Sequence, residues 1–240
     1  MGILANSTSF PPWYPGTMAL LINPGYLFYV IILLSIIGLG AYRFRNLDKA
    51  YRYLVVLCLM ILISEIGAKA AVLLNKSNFP FYHTLIPAQS LVYGFIFYYL
   101  FKSRGKGGIV ALLIGFLFAV GSSIISFNVY EGKFSFPSLN LSILSILMIM
   151  GSLYLFYQIL KKPSELSLFR IGDFWFASGN LLFWAGTFLI FGLYQWLLDA
   201  VHGHPSWMHH LIRILNYILY LTYLLSVYLN AENKPPKNDD

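Results

Sequence analysis

Charged residues are scarce in this sequence. Only 10% of its 240 residues are Asp, Glu, Lys or Arg, whereas 58% are apolar. A soluble domain carries about 25% charged residues, because its surface must be solvated. The scarcity of charge therefore excludes a soluble enzyme and favours an integral membrane protein.

Cysteine pairs and common catalytic motifs are missing as well. Cys58 is the single cysteine, which excludes an intramolecular disulfide and a paired-cysteine redox site. The sequence has no nucleophile elbow, no HExxH zinc motif and no phosphate-binding glycine loop. We therefore expect no cofactor, and an enzyme is the less favoured interpretation.

Long apolar runs are abundant instead. A bilayer core about 30 Å thick needs about 20 apolar residues to be crossed by a helix. The sequence predicts one all-α bundle of seven transmembrane helices, at 25–42, 51–74, 81–101, 107–127, 138–160, 173–198 and 207–229. Residues 1–24 are expected to form an extracytoplasmic strap, residues 25–230 the transmembrane domain, and residues 231–240 a short tail.

The basic residues divide unequally between the two sides of the predicted bundle. Of the 16 Lys and Arg residues, twelve lie in the first, third and fifth loops and the tail, and only Lys76 and Lys133 lie opposite. Because cytoplasmic loops are enriched in Lys and Arg, this bias predicts an outer N-terminus and a cytoplasmic C-terminus. The net charge of +7 then faces anionic lipid, so no nucleic-acid partner is expected.

No Lys or Arg precedes the first predicted helix, so a cleavable signal peptide is not expected. The predicted location is the cell membrane, which is the inner membrane if the host is bacterial. The lipid bilayer is accordingly the first partner of the chain.

Three residues that are charged at neutral pH lie well inside the predicted helices, away from the helix ends: Glu65, Lys69 and Arg213. A rise of 1.5 Å per residue places all three in the outer third of the bilayer. A charge within a membrane costs roughly 2.5–3.5 kcal/mol on insertion scales, so each is a candidate for function. We expect Glu65 to pair with Arg213 if the second and seventh helices are neighbours, and neutralisation of Glu65 by Lys69 is the alternative.

Polar residues of four predicted helices reach the same outer half. On the seventh helix, steps of four and three place Arg213, Asn216, Tyr220 and Tyr223 on one face. The sequence predicts a ligand pocket open to the extracytoplasmic side, formed by Glu65, Lys69, His83, Gln89, Gln195, Arg213 and Asn216. Interhelical hydrogen bonds that need no ligand are the alternative explanation.

Histidines cluster at one predicted outer end. Imidazole suits zinc, copper and nickel, but a glycine and a proline interrupt the series, unlike the spacing of a structural zinc site. We expect no metal site, and metal binding remains the alternative for His202, His204, His209 and His210.

An internal repeat is a further hypothesis. Two histidines are each followed by an amide residue six positions later and by a tyrosine ten positions later. Each set lies in the third helix of a group of three predicted helices. A three-plus-one-plus-three plan would explain this pattern. The matched positions are His83, Gln89 and Tyr93 in one group, and His210, Asn216 and Tyr220 in the other.

Two well-known seven-helix families do not fit. Retinal proteins bind their chromophore through a lysine of the last helix, and no lysine occurs between Trp207 and Leu229. G-protein-coupled receptors carry an outer disulfide, which Cys58 alone cannot form.

The chain resembles the compact seven-helix sensor modules of bacterial signalling proteins. The similarity lies in the basic first inner loop at 43–52, in the Glu65 helix that runs into Asn75 and His83, and in the aromatic seventh helix around Asn216. The resemblance implies that a small molecule is sensed from outside and that a kinase or cyclase responds. Because so few residues follow the seventh helix, we expect the effector to be a separate cytoplasmic partner.

The sequence therefore favours a membrane receptor or binding module for a small molecule. The alternative is a small-solute or proton-coupled transporter, in which Glu65 would carry the proton. An intramembrane enzyme ranks third.

Overall fold

The computed structural model describes residues 24–74, 76, 78–104, 109–125, 138–161, 167–192 and 206–232. Within these residues all regular secondary structure is helical, and there is no strand. A single 3₁₀ turn, Leu168–Arg170, precedes the sixth helix. The α-helices are α1 Pro24–Tyr42, α2 Lys49–Leu73, α3 Phe79–Arg104, α4 Ile109–Ile125, α5 Ser138–Lys161, α6 Gly172–Gly192 and α7 Ser206–Glu232.

The all-α class is thus confirmed, and each predicted segment corresponds to one helix. Both α2 and α3 extend further at their basic ends than the apolar pattern predicts, beginning at Lys49 and ending at Arg104. The apolar pattern misses these ends because long basic side chains can continue a helix beyond the hydrocarbon region.

Five of the helices are long and apolar enough to cross a membrane: Pro24–Tyr42, Lys49–Leu73, Pro80–Lys102, Asn140–Lys161 and His210–Glu232. The described part of α4 is shorter, with 17 residues. Large apolar side chains on the helices are exposed, as on Ile31, Ile63, Leu117, Met150 and Leu189. Soluble monomers rarely expose so much apolar surface, so the chain has the surface of a membrane protein.

Consecutive helices pack against each other, and α7 closes the bundle by packing against α1. The Tyr217 hydroxyl donates to the Gly25 carbonyl over 2.7 Å, which joins the first half of α7 to the beginning of α1. At the other end, the Asn230 amide donates to Asp48 over 2.8 Å. We name these two ends of the bundle the Pro24 end and the basic end.

The basic end gathers most of the described cations: Arg43, Arg45, Lys49, Arg52, Lys102, Lys161 and Arg170. Arg52 donates to the carbonyls of Leu47 and Arg45, at 3.0 and 3.1 Å, and so holds the connection between α1 and α2. The charge bias that predicts a cytoplasmic face is therefore a property of one end of the folded bundle.

The repeat hypothesis equates positions that differ in their surroundings. His83 on α3 is buried, whereas His210 on α7 is exposed. The repeat stays a prediction, and the two histidines do not share an environment.

The beginning of α6 lies unusually close to α2 and α7. A Cβ atom added to Gly172 would lie 2.7 Å from the Ser226 carbonyl oxygen and 2.8 Å from the Tyr51 hydroxyl. Ser226 donates to the Gly172 carbonyl over 2.8 Å, and Tyr51 donates to Asp173 over 2.6 Å. Only glycine fits this three-helix junction without displacing a neighbour.

We expect Gly172→Ala to lower the thermal unfolding temperature in detergent, because overpacking a tight contact costs about 1–3 kcal/mol. Gly38→Ala on α1 is the matched control, since its added Cβ would meet no atom within 4 Å. Alanine in an exposed helix is favoured over glycine by about 0.5–1 kcal/mol, so the control is expected to be neutral or stabilising. Equal stability of the two variants would contradict the close approach.

Candidate functional site

Glu65 and Lys69 lie one turn apart on α2, near the Pro24 end. Both side chains are half-buried, so the two charges are partly withdrawn from solvent without being enclosed. Lys69 is the charged group that acts on the Glu65 carboxylate. The two residues therefore form the charged centre of the predicted polar layer.

The Lys69 ammonium lies against an aromatic ring of α1. Its nitrogen is 3.1 Å from the centroid of Tyr26. An ammonium over a tyrosine face is attracted by the negative potential of the ring, and desolvation strengthens this attraction. The contact joins α1 to α2 and holds the Lys69 side chain beside Glu65.

Tyrosines surround this charged pair. The Glu65 carboxylate interacts electrostatically with the hydroxyl groups of Tyr26, Tyr29 and Tyr220. The rings of Tyr29 and Tyr220 meet edge to face with centroids 5.3 Å apart. We name Tyr26, Tyr29, Glu65, Lys69 and Tyr220 the acid–tyrosine cluster.

The contribution of α1 to this cluster is missing from the sequence-based prediction. Tyr26 and Tyr29 are three residues apart, which places them on one side of a helix. Aromatic residues near a predicted membrane boundary already have an ordinary explanation, because such residues concentrate at the interface. Only the packing of α1 against both α2 and α7 reveals their position beside Glu65.

Arg213 does not pair with Glu65 as expected. It is half-buried on α7, and its electrostatic neighbour is Lys69, a residue of like charge. Among the described side chains no ion pair joins Glu65 to Arg213, so the expected pairing is not formed. The reason is that α2 and α7 make little direct contact, whereas α1 packs against both of them.

Three of the remaining predicted site residues lie on α3 and α7, and the fourth is not described. His83 is buried on α3, and Gln89 is half-buried one and a half turns further along that helix. The Asn216 amide donates to the Ile212 carbonyl of its own helix over 3.0 Å. Gln195 lies outside the described residues, so its place in the pocket stays a prediction.

The histidine hypothesis falls largely on residues that are not described. His202 and His204 lie outside the described ranges, and of His209 only the backbone is described. His210 is exposed at the beginning of α7. Within the described side chains, no group of three or more His, Cys, Asp or Glu residues could hold a metal ion.

A second polar cluster occupies the centre of the bundle. The Tyr93 and Tyr223 hydroxyls are 2.9 Å apart, and Tyr223 donates to the Asn180 side-chain oxygen over 2.8 Å. Trp184 donates to the same oxygen over 3.2 Å. Because Tyr223 gives its proton to Asn180, Tyr93 must be the donor in the tyrosine pair. This buried cluster links α3, α6 and α7, and we name it the central network.

One face of α7 connects the two clusters to the basic end. Tyr220 belongs to the acid–tyrosine cluster and Tyr223 to the central network, and their rings are 6.0 Å apart. Further along the same face, Ser226 bonds to α6 and Asn230 bonds to Asp48. A single polar face of one helix therefore runs from the charged layer to the basic loops.

Comparison with protein-family models, with curated proteins and with solved structures finds no match. The resemblance to bacterial sensor modules thus stays a sequence-based expectation. The function is therefore inferred from the chemistry of the two clusters.

We expect Tyr223→Phe to destabilise the protein, because Tyr93 loses its acceptor and Asn180 loses a donor. Interhelical hydrogen bonds in membrane proteins average about 0.6 kcal/mol and reach about 1.7 kcal/mol. Tyr228→Phe on the same helix is the control, since Tyr228 is exposed. Denaturant unfolding in mixed micelles measures both; equal midpoints would show that the central network contributes nothing to stability.

Proposed function

We propose that this membrane protein is a receptor or binding module for a small molecule that enters from the Pro24 end. Its location would be the cell membrane, with the Pro24 end outside. A separate cytoplasmic partner would respond at the basic end. The observation that carries this proposal is the acid–tyrosine cluster, in which Glu65 and Lys69 are half-buried and the buried Tyr220 leads along one face of α7 to the basic end.

A charged residue within a membrane-spanning segment is a candidate for function, because its insertion into the bilayer costs free energy. Glu65, Lys69 and Arg213 are all half-buried and share one layer near the Pro24 end. Partial burial leaves these groups within reach of a solute and removes enough water to strengthen its electrostatic interactions. This combination favours a binding layer over a purely structural one.

A route for the response follows from the hydrogen bonds of α7. A ligand that moves Tyr220 would act on the same helix that bonds to Asn180, Gly172 and Asp48. Asp48 lies in the connection between α1 and α2, beside exposed basic residues. A small shift of α7 would therefore change the surface that an acidic partner meets, provided that the bundle has two packing states.

A proton-coupled transporter is the second candidate, and one observation favours it. Glu65 is a half-buried carboxylate within a membrane-spanning helix, and it interacts electrostatically with Tyr29 and Tyr220. Acidic residues at such positions are a feature of proton relays in pumps and transporters.

The receptor proposal predicts that Glu65→Gln changes the basic end at a distance. Spin labels on cysteines at Arg45 and Lys161, both exposed, report the separation of the α1–α2 connection and the end of α5. Cys58 is buried and is replaced by alanine in every sample. We expect double electron–electron resonance to show a shifted distance distribution for Glu65→Gln in nanodiscs, because the charge of the layer sets the position of α7.

Lys76→Gln is the matched control, since it removes an exposed charge at the same end of the bundle. The control is expected to leave the distance distribution unchanged. Identical distributions for Glu65→Gln and wild type would contradict coupling between the two ends.

The transporter candidate predicts proton movement in liposomes. A pH-sensitive dye trapped inside would report flux through the wild-type protein, and Glu65→Gln would abolish that flux because glutamine cannot carry a proton. Lys76→Gln would retain it. Flux that is lost in Glu65→Gln alone would support transport, and its absence from the wild type would leave the receptor as the better proposal.

A further inference from the structure

The contact between Lys69 and Tyr26 is much closer than other cation–π contacts of the described residues. The Lys69 nitrogen is 3.1 Å from the ring centroid, whereas Arg52 lies 5.2 Å from Phe44 and Lys102 lies 5.6 Å from Tyr98. The Lys69 ammonium thus rests directly on the ring face. Its carboxylate neighbour Glu65 is one helical turn away.

We propose that the acid–tyrosine cluster is a binding site for an organic ammonium ion, and that Lys69 occupies it as a tethered substitute when no ligand is bound. This inference rests on the proposed function and names its class of ligand.

The chemistry of the cluster matches that of an ammonium ion. Aromatic faces attract quaternary and alkylated ammonium groups, and a carboxylate supplies the opposite charge. Tyr26 provides the face that already holds an ammonium, and the edge-to-face pair of Tyr29 and Tyr220 adds aromatic surface near Glu65. An alkylated ammonium would also bury its methyl groups against these rings, which a hydrated metal ion cannot do.

Charge balance explains why Lys69 and a ligand would exclude each other. Glu65 is the acidic member of the layer, and Lys69 and Arg213 already supply two positive charges near one another. A second ammonium beside Lys69 would meet like-charge repulsion at short range. An arriving ligand must therefore displace the Lys69 side chain, whose long flexible stem allows it to turn toward the interface.

Removal of the tethered ammonium tests the proposal. Lys69→Met keeps a long, unbranched side chain and removes the charge. Titration of tetramethylammonium chloride into protein in nanodiscs, against sodium chloride at equal ionic strength, measures binding by calorimetry. We expect Lys69→Met to bind the ion about tenfold more tightly than wild type, because the competitor and its repulsion are gone.

Three further variants identify the contacts. Added to Lys69→Met, Glu65→Gln is expected to abolish binding, and Tyr26→Leu to weaken it about 2- to 30-fold through loss of the ring. Tyr26→Phe keeps the ring and is expected to retain binding. Lys76→Met is the matched control and is expected to bind as wild type does, since Lys76 is exposed outside the cluster.

Equal affinity of Lys69→Met and wild type, or full binding by the Glu65→Gln double variant, would overturn the proposal. Lys69→Gln provides a second uncharged variant if Lys69→Met does not fold. If no ammonium binds while Glu65→Gln still shifts the basic-end distances, the ligand class is wrong and the receptor proposal stands. If ammonium binds and the distances do not change, the site is supported and the receptor proposal fails.

Discussion

The structure depends on a constraint of the apolar bundle: a polar group carried into it costs free energy unless it finds a partner on another helix or within its own. Side chains of α7 meet this constraint along one face. Tyr223 bonds to Asn180, Ser226 to the Gly172 carbonyl and Asn230 to Asp48. In a low-dielectric interior these bonds are costly to leave unmade, and they fix α6 and the connection between α1 and α2 against α7.

The two polar clusters differ in burial and in charge. The central network is buried, and its hydrogen bonds satisfy the Tyr223 hydroxyl and the Asn180 oxygen, which suits a fixed structural element. The charged residues of the acid–tyrosine cluster, Glu65 and Lys69, are half-buried, and the Lys69 ammonium lies on a ring face. A helical bundle that binds a ligand needs fixed polar contacts in its centre, and it needs contacts that a ligand can replace at its binding site, here near the Pro24 end.

Sequence reasoning predicted the helices well because length and hydropathy act locally. It placed Glu65 and Lys69 correctly on one face of α2, since a spacing of four residues is one turn. It also found the inward face of α7 through Tyr220 and Tyr223. Of the two partners that it offered for Glu65, the described side chains support Lys69 and not Arg213, because that choice depends on which helices pack together.

Tyr26 and Tyr29 illustrate what a sequence alone leaves open. Their spacing is visible, but aromatic residues at a membrane boundary are common for reasons unrelated to binding. By itself the sequence determined that the chain is helical, apolar on its surface and basic at one end, because these follow from composition and periodicity. Only the tertiary structure decided that α1 lies against both α2 and α7 and brings two tyrosines to Glu65, because contacts between distant segments depend on how helix surfaces fit together.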